Sequence, residues 1–186
     1  MRSLSFHSTL DAKSISFTAL FAALCYLGTV CVAVPLPVSG YFNIGDVFVL
    51  ASGFFLGPWL GAAAAGVGSA LADISLGFAL YAPATFLIKA LDAFIAYLVW
   101  SFMKKCIKNE RLDFVNRILG AIAGECIMVL GYFLFDGALA DSLLAAVPNL
   151  LGNAMQGGCC AVCAIALTAA LSRVKGVKTL FPRLSK

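Results

Sequence analysis

The chain has 186 residues, of which 62% are hydrophobic and 12% charged. Soluble domains average about half apolar and about a quarter charged, so a soluble fold, and a soluble catalytic domain beside a membrane anchor, are both excluded. The net charge of +4 does not point to nucleic acid, because the basic residues sit at segment ends, where they act as topology signals.

Six apolar segments follow in chain order. The first, residues 14–34, is 21 residues long, enough to cross about 31 Å of bilayer. Arg2 and Lys13 precede it. It exceeds the h-region of a signal peptide and is read as a retained helix. Pro35 and Pro37 end it, and Val38–Gly45 forms a loop. The second segment, 46–57, is short. Gly57-Pro58 breaks the chain, and the third runs over 58–80. Its small residues recur at helical spacing as Gly61, Ala65 and Ser69, followed by Asp73; such a stripe lets helices approach closely. Tyr81-Ala82-Pro83 starts the fourth, 83–103. A polar loop, Lys104–Asp113, leads to the fifth, 116–135. The acidic loop Asp136–Asp141 precedes the sixth, 143–171, and a basic tail closes the chain. The expected fold is therefore an all-α integral membrane protein, a single domain of six transmembrane helices.

Lysine and arginine bias sets the orientation. Arg2 and Lys13, then Lys104, Lys105, Lys108 and Arg111, then Arg173, Lys175, Lys178, Arg183 and Lys186 fall on one side of a six-span chain. Both termini are expected in the cytoplasm. The opposite loops carry Asp136 and Asp141 and no basic residue.

Charges within apolar helices are costly and face protein or a watery cavity. Asp73 lies 15 residues past Pro58, about 22 Å from the inner face, and Lys89 six residues past Pro83, about 9 Å below the outer face. The two reach one depth, and an ion pair between them stands beside a ligand role as the alternative. Asp92 follows Lys89 on the same side of its helix. Glu125 sits near the middle of the fifth segment, with Tyr132 two turns further out. Asn149, Asn153 and Gln156 recur at i, i+4 and i+7 and form one polar stripe, just after Pro148. These groups are read as converging on a pocket that opens outward, with interhelical hydrogen bonding as the structural alternative.

Other chemistries lack their residues. No phosphate-binding G-x-x-x-x-G-K-[ST] loop is present. The one histidine, His7, lies in the N-terminal tail, which leaves no histidine-based metal site or triad. No cofactor and no catalytic residue is expected. The seven cysteines lie mostly in apolar runs and read as packing residues. Cys160 and Cys163 form a C-x-x-C pair, the basis of a competing reading as a membrane thiol-redox enzyme. A stand-alone channel or secondary carrier is a third reading.

The segments GYFNIGD (Gly40–Asp46), GPWLGAAAAGVGSALADISLG (Gly57–Gly77), YAPATFLIKALDAF (Tyr81–Phe94) and PNLLGNAMQ (Pro148–Gln156) resemble the substrate-binding S component of energy-coupling factor (ECF) vitamin transporters, over nearly the whole chain. The resemblance implies an importer component that binds a vitamin outside the cell and works with a transmembrane coupling subunit and two ATPases. It implies that the loop after the first helix is a lid, which points to Tyr41, Phe42 and Asn43. It points to Lys89, Asp92, Glu125, Tyr132, Asn149, Asn153 and Gln156 as substrate-binding candidates, and to Ala19 and Ala23, an A-x-x-x-A pair, as the docking face for the coupling subunit. The riboflavin-type subgroup matches best, and that subgroup also includes pyridoxine and hydroxymethylpyrimidine carriers. The loop LPVSGYFNIGD is not the lysine- and aspartate-containing loop expected of a riboflavin binder. The resemblance then implies a smaller heterocycle of the pyridoxine or pyrimidine kind, with riboflavin as the alternative.

Overall fold

The computed structural model describes residues 11–36, 40–107, 109 and 112–181. Arg2, His7, Pro37, Lys108, Arg111, Arg183 and Lys186 lie outside the described residues. Seven helices and one short hairpin make up the rest: α1 (Ala12–Cys31), β1 (Val34–Pro35), β2 (Tyr41–Phe42), α2 (Asp46–Leu56), α3 (Pro58–Ser75), α4 (Ala82–Cys106), α5 (Asp113–Leu139), α6 (Leu143–Leu171) and α7 (Lys175–Leu180).

Four of these, α1, α4, α5 and α6, are long and apolar enough to cross a membrane. The protein is a helical integral membrane protein. The second and third segments, α2 and α3, are not among those four, and α2 is short, as its segment is in the sequence. At 1.5 Å per residue, the 11 residues of α2 cover only about 16 Å. After α1 the chain forms the β1–β2 hairpin, with β1 exposed and β2 half-buried, and it becomes buried at Asn43. There Val34 pairs with Phe42 and Pro35 with Tyr41. Helix α2 starts at Asp46, which is fully buried. Helix α3 has 18 residues.

Other boundaries shift for local reasons. Asp11 accepts a hydrogen bond from the Ser14 N–H at 2.8 Å and caps α1 two residues before the expected start. That bond holds its carboxyl below the usual aspartate range. Val34 leaves α1 because it joins the hairpin. Gly57 has φ +87°, a conformation that favours glycine, and it places Pro58 at the first position of α3, where a proline loses no helical bond. Helix α5 runs to Leu139. Asp136, expected in a loop, is thus helical and buried. Helix α6 continues through Pro148.

The helices wrap α2, whose residues Val49–Leu56 are all buried. Leu50, Phe54, Phe55, Trp100 and Ala121 form the main core. Helix α3 fits closely because its small residues let backbones meet: a Cβ added to Gly68 would stand 2.2 Å from the Ala22 carbonyl of α1. At one end of the bundle, Phe181 packs on Phe17 with ring centroids 4.7 Å apart and on Phe55 at 5.1 Å. The first turns of α1 and the end of the described chain therefore lie together. At that same end Arg117 bonds Asp113 at 2.9 Å, with the Trp100 ring beneath its guanidinium.

Candidate functional site

A cavity opens at the opposite, hairpin end. Its walls come from α1 (Thr29), the hairpin (Leu36, Gly40, Tyr41, Asn43), α3 (Ser69, Asp73), the α3–α4 turn (Phe78, Tyr81), α4 (Thr85, Lys89), α5 (Tyr132, Asp136) and α6 (Asn153, Gln156).

Its floor is a buried polar network. Lys89 forms an ion pair with Asp46, and both are buried. Asp46 stands in the first turn of α2, where a helix dipole favours a negative charge. Its second oxygen accepts from Gln156 Nε2 at 2.6 Å. Gln156 Oε1 in turn accepts from the backbone N–H of Asn43 at 2.7 Å. Asn43 Oδ1 accepts from the Gly45 N–H at 2.9 Å, and the Asn43 carbonyl accepts from Cys160 Sγ at 3.5 Å. One chain of bonds thus ties the hairpin to α2, α4 and α6. A buried polar group needs such partners. The expected pairing of Lys89 with Asp73 is corrected: both do lie beside the cavity, but the re-entrant chain brings Asp46 against Lys89 first. Asp73 instead accepts from the Tyr41 hydroxyl.

The walls are aromatic and acidic. Asp136 accepts from the Tyr81 hydroxyl at 2.7 Å and from Asn149 Nδ2 at 2.9 Å. The Tyr132 hydroxyl donates to Thr85 Oγ1 at 3.0 Å, and its ring lies 5.3 Å from Lys89 Nζ. Tyr41 packs on Phe78 at 5.1 Å. Asp73 Oδ2 and Ser69 Oγ face the cavity without hydrogen-bond partners among the described residues.

Of the candidates named from sequence, Tyr41, Asn43, Lys89, Tyr132, Asn153 and Gln156 line the cavity. Phe42, Asp92, Glu125 and Asn149 do not; Asn149 reaches it only through Asp136. Asp73, weighed from sequence as a partner for Lys89 or a ligand contact, also lines it; Asp46, Ser69, Tyr81, Thr85 and Asp136 complete the arrangement and were not among those candidates. Asp136 sits four residues past Tyr132, so extending the fifth segment by one turn would have placed it on the same face. Cys160 is buried and Cys163 exposed, and both are free thiols. Ala19 and Ala23 are exposed on α1, between Ile15 and Leu27, which are also exposed.

Residues 9–173 match the family described as the S component of the ECF-type riboflavin transporter. The chain belongs to that family. S components are membrane-embedded, bind small vitamin substrates and work with membrane and ATPase components, and theirs is a transporter family, not an enzyme family. An uncharacterized protein from Pyrococcus woesei is 38% identical over 105 residues, which are 56% of this chain. The match spans 65% of that relative's length.

Proposed function

We propose that this S component captures a small aromatic heterocycle from outside the cell and delivers it through a coupling subunit and two ATPases. The observation that carries the reading is the cavity at the hairpin end, with tyrosines for stacking and unpartnered polar atoms for recognition. Asp73 and Asp136 disfavour an anionic substrate, and the one cation in the wall, Lys89, is held by Asp46. A hydroxylated or amino-bearing ring of the pyridoxine or hydroxymethylpyrimidine kind fits this chemistry, and riboflavin is the larger alternative. The cavity measures about 40 Å³, against roughly 300–1,000 Å³ for small-molecule pockets. The structure is therefore read as a closed one, in which the hairpin must move out to admit substrate. The hairpin is two residue pairs long, which makes it the element with least to lose on opening.

The proposed topology is six passes with cytoplasmic termini, the second made by residues 41–45 and the short α2 together. Its supports are Lys104 and Arg117 against Trp100 at the Phe17–Phe181 end and the packing there of the start of α1 on Phe181. Mass spectrometry of small molecules that copurify with the detergent-extracted protein tests the substrate class; an anionic ligand would overturn it. Asn153→Leu should weaken binding of that compound about tenfold, the worth of one hydrogen bond of about 1.4 kcal/mol, with the melting temperature nearly unchanged. Isothermal titration checks this, and unchanged affinity would remove Asn153 from the site.

Ala19 and Ala23 are the proposed docking face. A large ring there would hold a partner helix away, since close helix contact in membranes depends on small residues. Ala23→Trp is expected to abolish uptake and copurification of the ATPase subunits while leaving substrate affinity intact. Uptake at the wild-type rate would exclude this face.

A further inference from the structure

The cavity wall holds a feature that the polar floor does not use. Three aromatic rings stand side by side in it: Tyr41 on the hairpin, and Phe78 and Tyr81 on the α3–α4 turn. All three are only partly buried. They do not stack. Tyr41 and Phe78 are inclined at 57° with centroids 5.1 Å apart, and Phe78 and Tyr81 at 82° and 6.1 Å. Rings set at such angles form the walls of a box, and the face of each is the negative side of its quadrupole.

Both tyrosines give their hydroxyl hydrogens to carboxyls. Tyr41 donates to Asp73, and Tyr81 donates to Asp136 at 2.7 Å. Such a bond polarises the phenol and makes its ring richer in electrons. Asp73 is 4% exposed. Its second oxygen, Oδ2, and the hydroxyl of Ser69, one turn earlier on α3, have no hydrogen-bond partner among the described residues. Among the described residues, the charged side chains that line the cavity are Lys89, Asp73 and Asp136. Lys89 is held by Asp46 and lies over a different ring, that of Tyr132. The two wall aspartates therefore set the sign of the field at the three rings. A cation against those rings needs no contact with either carboxyl, because charges act over longer distances where the dielectric constant is low.

We propose that Tyr41, Phe78 and Tyr81, with Asp73 and Asp136 behind them, form a cage for a positively charged ring nitrogen, so that the captured heterocycle is a cation of the azinium kind. This rests on the capture reading and narrows its substrate class. Aromatic cages hold quaternary ammonium ligands by the same attraction. Riboflavin, a neutral ring system, gains nothing from it.

Two probes that differ only in charge test the cage. They are 3-(hydroxymethyl)-1-methylpyridinium and its neutral isostere 3-methylbenzyl alcohol, in which carbon replaces the ring nitrogen. In isothermal titration of the full chain in lipid nanodiscs, with empty nanodiscs as the blank, the cation should bind at least about tenfold more tightly, or about 1.4 kcal/mol. Asp73→Asn keeps an acceptor for Tyr41 and should shrink that ratio while leaving the affinity for the alcohol as it was. Tyr81→Leu should shrink it further than Tyr81→Phe, which keeps a ring. An isostere that binds as tightly as the cation overturns the cage. So does a cation that does not bind, or a ratio that Asp73→Asn and Tyr81→Leu leave unchanged. None of these results touches the capture reading, which fails instead if no small molecule copurifies with the protein.

Discussion

Lys89→Met is expected to lower the stability of the substrate-free protein by about 3–5 kcal/mol, the usual cost of stripping a buried charge of its partner. For a domain of this size that corresponds to a melting temperature lower by roughly 10 °C. The reason is Asp46. It is fully buried at the start of a helix that begins inside the bundle, and Lys89 and Gln156 are its partners. Methionine matches the lysine stem in length and keeps the apolar contacts, so the loss reports the charge. Asp46→Asn should cost less. An asparagine keeps the hydrogen-bonding shape, and Lys89 still has Asp92 and Glu125 within electrostatic reach. The double variant Asp46→Asn with Lys89→Met should recover part of the Lys89→Met loss, with a coupling of about 1–3 kcal/mol. Thermal unfolding in detergent, run as a double-mutant cycle, measures all three. A Lys89→Met protein as stable as wild type would mean that the pair carries no net stabilisation. Because the pair is buried, added salt should change the result little.

The same pair shows where sequence reading stops. Helices with an unbroken apolar run and a marked end were legible: α6 was expected over 143–171 and occupies those residues. The i, i+4, i+7 spacing of Asn149, Asn153 and Gln156 also shows in the sequence that the three amides share one face, and all three are buried. The shared level of Asp73 and Lys89 was legible too, since both line the cavity. Asp46 was read as the start of a short second segment and given no depth, so its meeting with Lys89 had no signal in a one-dimensional ruler. The hairpin that carries Asp46 inward depends on tertiary bonds from Asn43 to Gln156, 113 residues away. Asp136 was lost for a smaller reason. Its charge looked like the end of a span, whereas Tyr81 and Asn149 supply the hydrogen bonds that let a carboxylate stay within α5.

Gln156 is the residue on which the closed hairpin depends most. It donates to Asp46 and accepts from the Asn43 N–H, so one side chain joins the ion pair to the lid. Gln156→Leu keeps the volume and removes these bonds, together with a longer one from Asn43 Nδ2 at 3.3 Å. Each partner left buried and unpaired costs about 1–3 kcal/mol. The Asn43 share of that loss falls on the hairpin, and the hairpin can relieve it by opening. Amide exchange at Tyr41–Gly45 is therefore expected to accelerate by about 10–100-fold in lipid nanodiscs, since each 1.4 kcal/mol is a factor of ten. Exchange in the middle of α5 should change far less. Affinity for the copurified substrate should fall with it, mainly through faster dissociation, because the lid no longer latches. Gln156→Glu separates the two bonds. Its carboxylate still accepts from the Asn43 N–H but has no N–H for Asp46 and adds a like charge beside it. Hairpin exchange should then stay closer to wild type than in Gln156→Leu, while the melting temperature falls. If Gln156→Leu leaves exchange at Tyr41–Gly45 unchanged, the hairpin is held by its packing on Phe78 and by the Tyr41–Asp73 bond, and the amide of Gln156 serves the ion pair alone.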